Sequence, residues 1–349
     1  MQPGFFRTAG TMSQQPLFTV IIFCEHDAAG LERALAALTC QTGLGHPVEI
    51  LVLDPTGDAG RDRAAAAGSA RRIVPGSAER AGAWNEGLQQ ANGRWVAFTD
   101  DDCEPEPDWL GRLGEALADG ATLAGGPDRA PADLPRFLRH LDYVLNSPAG
   151  TAGLRAGNRR GDWYPRHWNL AGDRSAILAA GGFTGALPEA WELDLDRRVR
   201  AAGGRTAFVP DAVVVHRRET TPARFFARNV RLARSRAARG ARRLIFALPF
   251  LGAAGLILLT VVSVWIPAAR LPLALAVSGY LAVLAGAGVH AAATLRDPAA
   301  LAGVPLLLLV QHLSHAAGFL IGLLRRDPPG PPDPGIESGF GTLPRSGAS

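Results

Sequence analysis

The sequence predicts an α/β domain built on a parallel sheet, followed by an α-helical transmembrane region. Three observations predict it. Short apolar runs alternate with stretches of helical spacing up to about residue 240, several of those runs are closed by acidic residues, and from Leu244 to Leu324 ionisable side chains almost vanish. The mean hydropathy is slightly positive, high for a purely soluble chain, because two unlike regions are averaged in it.

Thr19 to Phe23 is a β-branched apolar run with the length of a buried strand. Leu31, Leu35 and Leu38 follow at helical spacing, and Val48 to Leu53 reads as the next strand. Strand, helix, strand in that order implies a parallel pair with a right-handed crossover. Ile73 and Val74 supply a short third strand and Glu79 to Ala91 a helix. Trp95 to Phe98 forms a fourth strand running straight into Thr99, Asp100, Asp101 and Asp102. Open α/β sheets bind ligands at the carboxyl ends of their strands, where these acids fall. Asp54 ends the second strand in the same way and Asp27 follows the first. Any one of them alone is an ordinary turn residue; three strand ends carrying acids on one edge point to a site.

Three consecutive carboxylates repel one another and raise each other's pKa unless a counter-charge is present. A divalent cation supplies it. Hard oxygen ligands suit Mg²⁺ or Mn²⁺, either of which can also bind a diphosphate and neutralise charge developing on it. The competing reading is an acidic strand-to-helix loop ending at Pro105 and Pro107.

Leu244 to Ile266 and Leu271 to Ala293 are each long enough to cross a hydrocarbon core, and Ala302 to Leu324 is a third segment interrupted by Gln311, His312, Ser314 and His315. That third segment is read as a full span, with a re-entrant or interfacial helix as the alternative; its polar groups then face protein, water or headgroups. Eight arginines lie between Arg224 and Arg243, directly before the first span. By the positive-inside tendency they place the preceding domain in the cytoplasm, giving a multi-pass protein of the inner (plasma) membrane. Phe225, Phe226, Val230 and Leu232 interleave with them, as in an amphipathic helix on anionic lipid. Nucleic acid is the other partner such a stretch suits, but its position against a transmembrane segment selects lipid. The N-terminus lacks a secretory pattern. The expected organisation is a disordered 1–15, an α/β domain over 16–223, a basic juxtamembrane helix over 224–243, a membrane region over 244–325 and a disordered Pro/Gly/Ser-rich tail over 326–349.

Residues 18 to 110 resemble the donor half of the family 2 inverting glycosyltransferases of GT-A fold. The resemblance rests on an opening strand, an Asp ending the next strand, a helix holding Ala83-Trp84-Asn85-Glu86-Gly87, and Asp100-Asp101-Asp102 after an apolar strand. The second half is similar too: Gly181-Gly182-Phe183 matches the family's GGF turn, and Trp191-Glu192-Leu193-Asp194-Leu195 its ED.DL segment. The resemblance implies a Rossmann-like nucleotide-diphospho-sugar transferase. Asp27 and Asp54 would then face the nucleotide base, Asp100 and Asp101 the ribose, Asp100 and Asp102 the metal, and Arg80 and Asn85 would belong to the donor side. His216, ending a β-branched run, stands where a metal ligand often occurs, a structural histidine being the alternative. Glu192 falls on the position of the base that deprotonates the acceptor, with Asp194 as competitor. This sequence departs from the pattern at its opening, Cys24-Glu25-His26-Asp27, and at Trp191, which replaces the first acid of the ED pair. The C-terminal helices are similar to those of an ExoA-like subgroup.

The function expected is metal-dependent transfer of a sugar, of hexosyltransferase type, from a nucleotide-diphospho-sugar to a lipid-linked or cell-envelope glycan acceptor, with inversion. The alternatives are a polyprenyl-phosphate sugar synthase and a non-catalytic scaffold with a decayed nucleotide-binding domain. Processive synthesis is disfavoured by the lack of a Gln-x-x-Arg-Trp motif, and phosphoryl transfer by the lack of a Gly-x-x-x-x-Gly-Lys-Ser/Thr loop. All 36 basic residues are arginine, a compositional bias without functional weight. Cys24, Cys40 and Cys103 have no CxxC spacing, so no structural disulfide is expected.

Overall fold

The computed structural model describes residues 16–324, apart from Ala78, Ala132, 152–162, 185–190 and 239–243. The expected terminal disorder and Arg239, Arg242 and Arg243 of the basic stretch lie outside these residues.

The chain opens β1(Phe18–Phe23) α1(Ala28–Thr39) β2(Val48–Leu53) α2(Ala59–Ala67) β3(Arg71–Ile73) α3(Arg80–Gln90) β4(Trp95–Asp100). It continues through β5(Cys103–Pro105) α4(Trp109–Ala118) β6(Leu123–Gly125) β7(Asp128–Arg129) α5(Arg136–Asn146) α6(Pro148–Thr151) β8(Leu170–Asp173) α7(Arg174–Ala179) α8(Trp191–Ala201) β9(Thr206–Phe208) β10(Val214–His216). The rest is helical: α9(Pro222–Ala238), α10(Leu244–Trp265), a 3-10 turn at Pro267–Ala269, α11(Arg270–Leu295) and α12(Ala300–Leu324).

A seven-stranded sheet runs in the order β3-β2-β1-β4-β8-β6-β9. The first four neighbours are parallel, as the strand-helix-strand reading requires, while β8 is antiparallel to both β4 and β6. The side-chain period of two sorts β1 between two cores. Phe18, Val20 and Ile22 pack with α1, α2 and α4 on one face, Ile21 and Phe23 with α3, α7 and α8 on the other. Both faces are therefore covered, and β1 reads as an unbroken apolar run rather than an alternating one.

A small second sheet, β5-β10-β7, was not foreseen. β5 starts immediately after the three aspartates and pairs antiparallel with β10, placing His216 opposite Cys103.

The three C-terminal helices are long and apolar enough to cross a membrane. They differ in how they meet the rest of the chain. None of the apolar window of α10 is buried, whereas 44% of that of α12 is. α12 packs on α5 and on α9, with Gly318 and Gly322 against the backbones of Val230 and Arg234. The interrupting polar residues of α12 face protein: Gln311 donates to the Gly150 carbonyl, His312 lies 3.0 Å from the Ala149 carbonyl oxygen, and His315 lies 2.9 Å from that of Phe246. The basic α9 is thus a docked helix on one side, with Phe225 buried and Phe226 exposed, rather than one laid on lipid alone.

Candidate active site

Because β1, β2 and β4 are parallel, their C-terminal ends lie on one edge, and the register opposes Phe23 to Asp100 and to Leu53. A cavity of about 1380 Å³ opens beside the end of β4. Asp100, Asp102, Arg80, Glu192 and His216 line it, five of the side chains expected from the sequence.

Asp100 is 5% exposed and held by an arginine and a histidine. Arg80 reaches it at 2.7 Å while also pairing with Glu25 at 2.6 Å, and His167 Nε2 stands 3.3 Å away. Burial alone would raise its pKa; Arg80 and His167 outweigh that and hold the carboxyl well below its usual range. Asp102 is paired with His216, Oδ2 to Nε2 at 3.0 Å. Here too burial pushes the acid upward and the histidine more than compensates.

The base candidates separate cleanly. Glu192 and Asp194 both sit in the first turn of α8, and residues two apart on a helix face nearly opposite sides. Glu192 is buried and lines the cavity, with His167 Nδ1 3.5 Å from Oε1 and no partner for Oε2 among the described residues. Asp194 accepts from Thr184 at 2.7 Å and pairs with Arg198 at 3.0 Å, away from the cavity. Burial would raise the Glu192 pKa, but His167 and Arg166 lower it below the usual value, so the group is a carboxylate at neutral pH. Trp191, in the place of an acid, forms cavity wall and packs edge-on against Trp84 at 5.6 Å.

Four expected donor contacts do not line the cavity, each for a local reason. Asp27 is exposed and caps α1, accepting from the Gly30 amide at 2.8 Å. Asp54 is fully buried and saturated, accepting from Thr56 and the Asp58 amide and pairing with Arg61 at 2.8 Å and Arg72 at 2.9 Å. Asp101 turns back into the loop after β1, accepting from the amides of Glu25 and His26 at 3.1 and 2.8 Å and from the His26 ring at 2.8 Å. Asn85 clasps the GGF turn in both directions, donating to the Phe183 carbonyl and accepting from its amide at 2.8 Å each. Gly182 has φ +64° there, and a Cβ at that position would overlap the Asn85 side chain.

His167, Arg166 and Trp168 were missed by the sequence reading. β8 brings them in: its antiparallel register opposes Phe98 to Leu170, so the residues just before β8 lie beside those just after Phe98. His167 then bridges Asp100 and Glu192, and the Trp168 ring packs tilted against His216 at 4.9 Å. The weak signal was a run of His, Trp and Asn directly before an apolar strand.

Asp102, Cys103 and His216 together could hold a metal ion. Cys103 is the least suited of the three. Burial pushes its thiol well above the ordinary value, and it lies in hydrogen-bond contact with Asp102 at 3.3 Å. The Asp102 carboxylate suits Mg²⁺ or Mn²⁺, whereas imidazole is a donor that the harder Mg²⁺ seldom takes, so the remaining pair fits Mn²⁺ better than Mg²⁺.

Fold and site together define a GT-A-like α/β domain with three apolar C-terminal helices. Residues 19–176 match the family model for glycosyl transferase family 2. Over 121 residues the chain is 30% identical to the glycosyltransferase AglE of Haloferax volcanii, a match covering 33% of this chain and 40% of AglE. The chain thus spans about two fifths of the length of that curated relative. Among solved structures, the mannosyltransferase PcManGT from Pyrobaculum calidifontis, in complex with GDP-Man and Mn²⁺, has a TM-score of 0.56 at 20% identity. That likeness covers 89% of this chain and 88% of the other, and shows a shared fold extending into the C-terminal helices.

Proposed function

We propose that this protein is a membrane-anchored glycosyltransferase that moves a sugar from a nucleotide-diphospho-sugar to a lipid-linked acceptor with inversion at the anomeric carbon. The observation that carries the reading is a single cavity lined by Glu192, Asp100 and the Asp102–His216 pair that continues between α9, α10 and α12. The acceptor hydroxyl oxygen attacks the anomeric carbon, its proton passes to Glu192, and the bond to the diphosphate breaks with its electron pair leaving on the nucleotide. Such a base is needed because an alcohol is a poor nucleophile at neutral pH. One displacement gives inversion.

His167 fixes the Glu192 carboxylate from one side while gripping Asp100 from the other, and Arg80 anchors Asp100. Asp102 and His216 would hold Mg²⁺ or Mn²⁺, which when bound neutralises charge on the departing diphosphate. The arginine-rich stretch before α10 supports a cytoplasmic position for the α/β domain.

The test begins with thermal stabilisation of the full chain in detergent by UDP, GDP, dTDP and CDP, with and without Mn²⁺ or Mg²⁺. One nucleotide is expected to stabilise the protein in a metal-dependent way that Asp102→Ala abolishes. Transfer from the matching nucleotide-sugar should then fall about 100-fold or more in Glu192→Gln, with nucleotide stabilisation retained. Nucleotide binding with no transfer to any acceptor would make the chain a non-catalytic scaffold.

A further inference from the structure

The cavity changes chemistry along its length. At one end its walls are Asp100, Asp102, Glu192 and His216; at the other they are Leu248, Leu251 and Leu256 of α10 with Leu309 and Leu313 of α12. Gly252 and Gly255 keep the α10 wall open, with nothing within 4 Å of where their Cβ atoms would be. At about 1380 Å³ the space exceeds the roughly 300–1,000 Å³ of an ordinary small-molecule pocket, leaving room for a second, longer occupant beside the donor.

Between the two ends lie Arg166 and Arg236, which converge on one phenol. Arg236 Nη2 donates to the Tyr164 hydroxyl at 3.0 Å, and the Arg166 guanidinium stacks 4.0 Å from the Tyr164 ring centroid. Tyr164 is 2% exposed. The other well-covered arginines of the site are sealed on acids: Arg80 on Asp100 and Arg218 on Asp128. Arg166 and Arg236 are not, among the described residues, within ion-pair distance of any carboxylate, and Arg236 Nε is buried with no hydrogen-bond partner. Two neighbouring cations with a spare buried donor are costly unless an anion completes them. Guanidinium is also the side-chain group best matched to phosphate oxygens.

We propose that Arg166 and Arg236, positioned by the buried Tyr164, bind the phosphate of a phosphate-linked lipid whose hydrocarbon chain lies along the apolar wall of α10 and α12. The inference deepens the reading of a lipid-linked acceptor and rests on it only in placing that acceptor's reacting group at Glu192. Charge complementarity selects the phosphate, and the continuous apolar wall selects a lipid over a free anion.

The test measures binding of a polyprenyl phosphate, the matching polyprenol and inorganic phosphate to the full chain in detergent, for the parent protein, Arg236→Gln and Arg236→Lys. The polyprenyl phosphate should bind at least tenfold more tightly than the alcohol and than inorganic phosphate. Arg236→Gln should lose about tenfold in affinity for the lipid phosphate, and Arg236→Lys should recover part of it. Nucleotide-dependent thermal stabilisation should persist in both variants, which also shows that they are folded. Equal affinity for phosphate and alcohol, an unaffected Arg236→Gln, inorganic phosphate binding as tightly as the lipid, or parallel loss of nucleotide binding would each overturn the proposal. Glycosyl transfer is judged separately by Glu192→Gln, so a lipid site without transfer, or transfer without this lipid site, are distinguishable results.

Discussion

At the residue scale the acid triplet after β4 divides its labour. Asp100 faces Arg80 and His167, Asp102 faces His216, and Asp101 points inward to bind the loop after β1. The His26 ring answers Asp101, and that hydrogen bond, working against burial, pushes the histidine from 6.5 up to about 9. A histidine whose folded pKa is raised stabilises the fold fully below its unfolded value and loses that contribution as pH rises through the folded one. The metal-free protein should therefore lose on the order of 2 kcal/mol between pH 6.5 and 9, and His26→Gln should flatten that part of the profile in chemical denaturation. Asp54 makes a different prediction. With two arginines on a fully buried carboxylate, Asp54→Asn leaves uncompensated charge and should cost about 3 kcal/mol, read as a lowered melting temperature.

At the element scale two contacts depend on glycine. A Cβ at Gly318 would overlap the Val230 carbonyl, so α9 and α12 touch backbone to backbone. Gly318→Val should push them apart and raise hydrogen exchange throughout α9, while α1 and α3 stay protected; unchanged exchange in α9 would refute the docking. The other contact is the clasp of α3 on the turn before α8. Asn85→Ala should weaken it by about 1–2 kcal/mol, and because the turn leads into the helix bearing Glu192, turnover should fall more than nucleotide affinity.

At the scale of the whole molecule, the α/β domain and the apolar helices are joined through charge as well as packing. Asp297, in the turn between α11 and α12, receives Arg136 at 3.0 Å, Arg139 at 3.5 Å and His140 at 3.1 Å, all from α5. Leu138 and Leu141 of the same helix pack against Val304 and Leu308 of α12. The cavity is closed by both parts, so this joint sets its shape. Asp297→Asn should free α5, seen as faster exchange there, and should lower transfer to a membrane acceptor several-fold with nucleotide stabilisation intact.

The sequence by itself determined the local elements, since these follow from periodicity. Apolar runs specified β1, β2 and β4, helical spacing specified α1 and α3, and three long apolar stretches specified α10, α11 and α12. Parallel order then put Asp54 and the aspartate triplet at one edge without further information. Which way each carboxylate points was decided only by tertiary structure, because a one-residue step along an extended chain reverses the side chain and only the surrounding partners say which side is the site. Thus Asp101 and Asp54 became internal anchors while Asp100 and Asp102 became cavity walls. His167 and the Arg166–Tyr164–Arg236 group were equally hidden, for they are assembled from the segment leading into β8 and from α9, parts far apart in sequence whose meeting is fixed by antiparallel register and helix docking rather than by local pattern.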